Sequence, residues 1–276
     1  DSRLILKIAP AVAQAAADSG VATRPITDME AYKERLARYV YQTGMLMRPV
    51  FSAAKSVPDN AKRVAYADGE DERALRAAQM AIDEHLACPI LIGRPAVIAA
   101  RIEKAGLRMR LGVDVENVNP EDDPRFRQYW EQYHKLMARN GATPEVSKAA
   151  VRRSNTIIGS LMVSLGDADA LICGLVGNYM THLERIDSIL GKQKDASNYA
   201  TVNALMTDRG PIFIADTYVN EDPSAEQLAE IAWMSAQQVL RFGIPPKVAF
   251  LSHSSYGSSK RASAKKMRAA RDLFVA

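Results

Sequence analysis

Only two cysteines, Cys88 and Cys173, occur in 276 residues, and neither has a partner at metal or redox spacing. Both stand in apolar contexts, which predicts buried thiols in a reducing compartment and excludes a disulfide framework. Four histidines, His85, His134, His182 and His253, are far apart and show no metal-ligand spacing. His253 differs from the others in following a predicted strand. No apolar run approaches the roughly 20 residues of a membrane span, and the first residues lack the layout of a signal peptide. A cytoplasmic chain without membrane association is therefore expected. The net charge of +4 is too small to demand a nucleic-acid partner. Absent too are a glycine-rich phosphate loop ending in Gly-Lys-Ser/Thr and a Gly-x-Ser-x-Gly elbow, which argues against nucleotide hydrolysis and serine hydrolysis. With no initiator Met, the sequence reads as a segment of a longer protein.

What is present is an α/β pattern behind a helical head. Residues 4–18 are Ala-rich and helical, and Gly20 suits a left-handed helix cap. A second helix is expected over 29–44, capped by Thr27 or Asp28, and a linker over 56–61. Strand and helix then alternate, with strands at 63–67 and 88–92 and helices at 72–84 and 96–105. That alternation implies a parallel sheet covered on both faces. Helices are predicted over 122–140, 143–153 and 156–165, followed by a buried strand over 169–174 that opens into a polar loop at Gly177-Asn178-Tyr179.

Residues 211–260 carry the most information. Short apolar runs at 211–215 and 247–251 read as buried parallel strands. Between them a helix over 224–242 places Leu228, Ile231, Ala232, Ser235, Val239 and Leu240 on one side. This βαβ unit ends in a loop containing Ser252, Ser254, Ser255, Tyr256, Gly257, Ser258 and Lys260. Such a loop at the carboxyl end of a strand suits an anion such as phosphate, or simply caps the next helix. Asp216, Glu221 and Asp222 read as charge-matching the start of the preceding helix, with metal binding as the alternative. The last helix carries Lys260, Arg261, Lys265, Lys266, Arg268 and Arg271 against Asp272. Without interleaved aromatics, it reads as a solvated face rather than a nucleic-acid or membrane surface.

Three stretches, GDADALICG (166–174), FIADTYVNEDPSAEQLAEIA (213–232) and VAFLSHSSYGSSK (248–260), resemble the phosphate acetyltransferase/butyryltransferase family. The resemblance spans roughly residues 60–276. It implies two α/β lobes with mainly parallel sheets and a cleft between them, as in isocitrate and isopropylmalate dehydrogenases. It also implies a CoA contact at the Ser/Gly loop. The expected domains are 1–56 (helical tail and linker), 57–158 (first lobe, its C-terminal completion absent from the sequence) and 159–276 (second lobe). Where active members are expected to hold phosphate and CoA with arginines, this sequence has Met137, with Arg139 out of register, and Glu184, with Arg185 one residue late. No Ser-Arg-Gly motif follows.

The head of the chain resembles the last helices of bacterial NADP-dependent malic enzymes, which carry a phosphotransacetylase-like domain behind the catalytic one. The resemblance implies a regulatory and oligomerising domain without catalytic residues of its own. It would bind acetyl-CoA or a related acyl-CoA as an inhibitor of oxidative malate decarboxylation. NADP and a divalent metal, Mg or Mn, would be held by the upstream malic enzyme domain, with no cofactor in these residues and a homodimer or higher oligomer as the assembly. Expected effector contacts are Asn178, Tyr179 and Arg185 with the Ser/Gly loop. The loop amides would meet phosphate, Lys260 and Arg185 would supply charge, and Tyr179 or Tyr256 would pack on pantetheine or adenine. The rival readings are an active phosphate acetyltransferase and a purely structural oligomerisation domain.

Overall fold

The computed structural model describes residues 4–57, 62–207 and 209–275, with the side chains of 38–43 excepted. The chain divides into two compact units, one of Ala53–Asp195 and one of Asp1–Ser52 with Ala196–Ala276. The expected lobe boundary at 158/159 lies inside a helix of the first of these units.

Ala53–Asp195 is built on strands β1 (Arg63–Tyr66), β2 (Cys88–Ile92), β3 (Glu116–Val118) and β4 (Ala170–Ile172), all parallel and ordered β3-β2-β1-β4. Side chains alternate across a strand, so neighbouring residues enter different cores. Leu91 and Tyr66 pack with Leu75 and Ala78 of α3 (Glu72–Asp83), Ile98 and Ile102 of α4 (Pro95–Lys104), and Met109. Ile90, Ile92 and Ala65 face the other way. They meet Tyr129 of α5 (Phe126–Met137), Val151 of α6 (Pro144–Arg153) and Ile157, Ile158, Leu161 and Met162 of α7 (Asn155–Leu165). Burying both faces is what an all-parallel sheet requires. Capping sets the helix starts: Asp71 accepts from the Arg73 amide, Thr143 from Val146 and Ser154 from Ile157. Gly69 lets two strand ends meet, because a Cβ there would lie 2.7 Å from the Ile92 carbonyl oxygen.

The other unit opens with α1 (Ile5–Asp18) and α2 (Met29–Lys55), the latter running past the expected stop at Gly44 as far as Lys55, within the first unit. The linker expected at 56–61 lies outside the described residues from 58 to 61. After 196 come β5 (Val202–Thr207), β6 (Gly210–Ala215), α9 (Ala225–Arg241) and α10 (Ala262–Val275). Here the expected βαβ unit is corrected. β6 pairs antiparallel with β5, which was not foreseen, and 247–251 forms no strand. The reason is local closure. Thr207 pairs with Gly210, whose φ of +114° suits glycine, and Thr207 Oγ1 donates to the Gly210 carbonyl at 2.7 Å. A tight hairpin needs no crossover, so β6 takes the neighbour in sequence. Val248 and Leu251 are exposed, while Phe250 meets Phe274 of α10 edge-on at 5.8 Å.

Other expectations also shift. Cys88, the first residue of β2, is exposed and Cys173 is only partly covered, so neither is the fully buried thiol expected. Asp216 does not serve the helix start: it accepts from Thr201 and Asn220, and Asp222 pairs with Lys266. The α9 start is closed by Ser224 and Gln227 in a reciprocal capping box. The polar loop expected after β4 continues into an unforeseen helix, α8 (Tyr179–Ile189). Among the described residues no helix is long and apolar enough to cross a membrane.

Candidate functional site

In the Ala53–Asp195 unit the strand order changes direction beside β1, with β2 on one side and β4 on the other. The loops after β1 and β4 therefore flank the crevice where open α/β sheets take ligands. The Asp68 carboxylate accepts the amides of Gly174 (2.9 Å) and Leu175 (3.0 Å), and Arg73 donates to the Leu175 carbonyl at 3.0 Å. His182 bridges the same loop to α7, with Nε2 2.8 Å from the Val176 carbonyl and Nδ1 2.8 Å from Thr156 Oγ1. Gly177 makes room for that ring, since a Cβ there would fall 2.9 Å from Nε2.

Of the residues expected at this loop, Asn178 caps α8, its Oδ1 accepting from Met180 (2.9 Å) and Thr181 (3.4 Å). Tyr179 begins α8 and is exposed, and Arg185 is half-buried on it. Met137 closes α5, and Glu184 is exposed on α8. Sequence reasoning missed Asp68 and His182. Asp68 lies in the short stretch between a strand and a helix with nothing local to mark it, and His182 meets Thr156 across 26 residues, a separation with no local signature.

The acids Glu70 and Asp71 around the crevice are paired with neighbouring arginines. Glu70 joins Arg94 at 2.8 Å, and that hydrogen-bonded guanidinium holds the carboxyl down at about 2. Asp71 is likewise held at about 2 by its hydrogen bonds from Arg73. Burial and the neighbouring Asp68 charge push the Cys173 thiol up, away from nucleophilic chemistry. A groove of about 600 Å³ lined by Arg63, Cys88, Asp114 and Glu116 lies at the amino ends of the strands, opposite these loops. Among the described residues no group of three or more His, Cys, Asp or Glu side chains is placed to hold a metal ion.

The other group of expected contacts lies in the second unit, in the loop before α10. The Ser254 amide donates to Ser252 Oγ (3.1 Å), and Ser254 Oγ accepts from the Ser259 amide (2.8 Å). Ser258 donates to the Ser255 carbonyl through both its amide (3.2 Å) and its hydroxyl (2.9 Å). Inside this turn Tyr256 has φ +50° and ψ +28°, uncommon for a residue with a bulky side chain, and its ring is fully exposed. Gly257 follows at φ +72°, and Lys260 is exposed just before α10. His253 places its ring 3.3 Å from Ser259 Oγ and 3.5 Å from Ser263 Oγ. Among the serines expected to meet a ligand, Ser252, Ser254 and Ser258 use their hydroxyls to build the loop. The chemistry on offer is polar recognition around one displayed aromatic ring.

The fold class is that of the phosphotransacetylases. The crystal structure of a phosphotransacetylase from Streptococcus pyogenes superposes with a TM-score of 0.73 and 26% identity, covering 83% of this chain and 69% of that one. The EutD phosphotransacetylase from Staphylococcus aureus has the same TM-score at 23% identity. The phosphate acetyl/butaryl transferase family profile matches residues 45–276, and the chain belongs to that family. The NADP-dependent malic enzyme of Salmonella typhimurium is 53% identical over 268 residues, which is 97% of this chain and 35% of that protein. An NAD-dependent malic enzyme of Rhizobium meliloti is 50% identical over 99% of the chain, again 35% of its own length. The phosphate acetyltransferase of Corynebacterium glutamicum is 32% identical over 192 residues, 69% of this chain and 57% of that protein. The chain thus spans about a third of the length of the malic enzymes it matches.

Proposed function

We propose that this chain is an acyl-CoA-sensing unit of a malic enzyme, descended from a phosphotransacetylase and without transferase chemistry. The observation that carries the ligand reading is the 252–260 loop. It is closed by its own hydroxyls, holds a non-glycine residue in left-handed backbone and presents that residue's ring wholly to solvent. Backbone held in such a conformation concentrates at ligand sites. In this reading Tyr256 packs on the adenine or pantetheine of acetyl-CoA or a related acyl-CoA, and Lys260 meets phosphate. Within the Ala53–Asp195 unit, taken by itself, Asn178 fixes the start of α8, which carries Tyr179 and Arg185.

Loss of transfer chemistry is supported by Met137 and Glu184, which stand where the family resemblance expects arginines. The exposed carboxylate of Glu184 repels an anion. Membership of a malic enzyme is supported by relatives of that name matching 97–99% of the chain at 50% identity or more. It is also supported by the helical head, which precedes the family match at residue 45. Ile8 and Val12 of α1 and Val21 beyond it are exposed, an apolar run suited to packing against further protein. Leu205, Ile212 and Ile214 on the hairpin are exposed as well, which supports a homodimer or larger assembly. The effector would inhibit malate decarboxylation by binding one state of that assembly better than another. NADP or NAD and a divalent metal would be held by residues outside this chain, in a cytoplasmic enzyme. Relatives of both nicotinamide specificities match it about equally.

The second reading, a working phosphate acetyltransferase, is favoured by relatives of that name at 32–33% identity. In it, Arg139 or Arg185 would replace the displaced arginines. Measuring acetyl phosphate formation from acetyl-CoA and phosphate decides between them. The sensing reading predicts no turnover above the uncatalysed rate, and turnover at about 1 per second or faster would overturn it.

A further inference from the structure

The cations of α10 read from sequence as one solvated face, but Arg268 stands apart from the others. It is half-buried, and its guanidinium donates to the backbone carbonyls of both Gly257 and Ser259, the latter at 3.2 Å. Its aliphatic stem lies under the glycine, where a Cβ on Gly257 would come 3.4 Å from Arg268 Cδ. Lys266, by contrast, pairs with Asp222, and Arg271 with the adjacent Asp272.

We propose that Arg268 is the positioning residue of the 252–260 loop, fixing from below the left-handed turn that displays Tyr256. Two consecutive residues at positive φ, Tyr256 and Gly257, turn the chain back on itself. The hydroxyls of Ser254 and Ser258 close that turn from within by bonding to the loop's own backbone. Arg268 is what ties the loop's outward carbonyls to a helix. A guanidinium suits the task because Nη1 alone carries two N–H donors, one for each carbonyl, at the end of a stem long enough to reach them. The inference rests on the ligand reading of the loop for its consequence, but not for its test.

The test uses the 276-residue chain and amide hydrogen exchange at Ser258 and Ser259, whose N–H groups are held inside the turn. Arg268→Met keeps much of the stem and removes the donors. It should speed exchange at both amides by about tenfold or more, the scale of losing charge-assisted hydrogen bonds, while amides in the second half of α10 keep their protection. Arg268→Lys, which retains a cation able to reach a carbonyl, should restore most of it. Acetyl-CoA binding should weaken in parallel in the Met variant and recover in the Lys variant. Unchanged exchange at Ser258 and Ser259 would overturn the proposal, as would an equal loss of protection throughout α10. Should Arg268→Met fail to fold, Arg268→Gln probes the same clamp with a shorter, uncharged side chain, and unaltered exchange at Ser258 and Ser259 there would equally overturn it. If the wild-type chain binds no acetyl-CoA, the ligand reading fails while the exchange result still decides the role of Arg268.

Discussion

At Gly69 the chain has no room for a methyl group. A Cβ would press on the backbone of Ile92, at 2.7 Å from its oxygen and 2.9 Å from its nitrogen. Unlike a flexible side chain, that backbone is held in β2 and cannot swing away. Gly69→Ala should therefore destabilise the Ala53–Asp195 unit by about 1–3 kcal/mol, seen as a lowered urea midpoint. The neighbouring Glu70 gives a pH signature. Its carboxyl is held at about 2 in the folded chain against an ordinary 4.5. A depressed folded value means the Arg94 pair stabilises fully above about pH 4.5, and that this contribution fades as pH falls from there toward 2. Glu70→Gln should lose roughly 1 kcal/mol near neutrality after allowance for solvent screening. Urea midpoints of the two proteins should then converge on acidification; a constant offset down to pH 2 would contradict the assignment. Asp216 shows the opposing balance. Burial acts to raise its carboxyl, but hydrogen bonds from Thr201 and Asn220 outweigh that and lower it.

Among the elements, those governed by local chemistry were legible. Residues 88–92 were read as a strand from their apolar run and are β2. Thr143 and Ser224 were read at helix starts and cap α6 and α9. Ser224→Ala removes the hydroxyl that accepts from the Gln227 amide, leaving only the backbone half of the capping box, and should cost about 1 kcal/mol, measured as a lowered thermal midpoint. No change would mean that packing of Ile231, Ala236 and Val239 alone decides α9. Illegible were the features that depend on a partner. The apolar runs at 211–215 and 247–251 look alike in sequence. One finds β5 through a tight turn, and the other has no strand partner among the described residues. Apolarity signals burial but does not name the strand alongside. In the candidate site, the Ser/Gly loop announced itself by composition. Arg268, sitting among five other cations, did not, because what separates it is a contact with a carbonyl eleven residues away.

For the molecule as a whole, the resemblance read from three short stretches placed the chain in its family, and the fold match and family profile agree. The sequence also pointed to the malic enzymes that match nearly all of the chain, while the chain covers only 35% of each. The central claim is that a phosphotransacetylase fold here recognises acyl-CoA without processing it. It is tested most directly by calorimetric titration of the 276-residue chain with acetyl-CoA. The account predicts saturable binding, weakened about tenfold when Tyr256→Ala removes the displayed ring, the scale of one aromatic contact on a base. No heat up to millimolar acetyl-CoA, or binding indifferent to Tyr256→Ala, would contradict it.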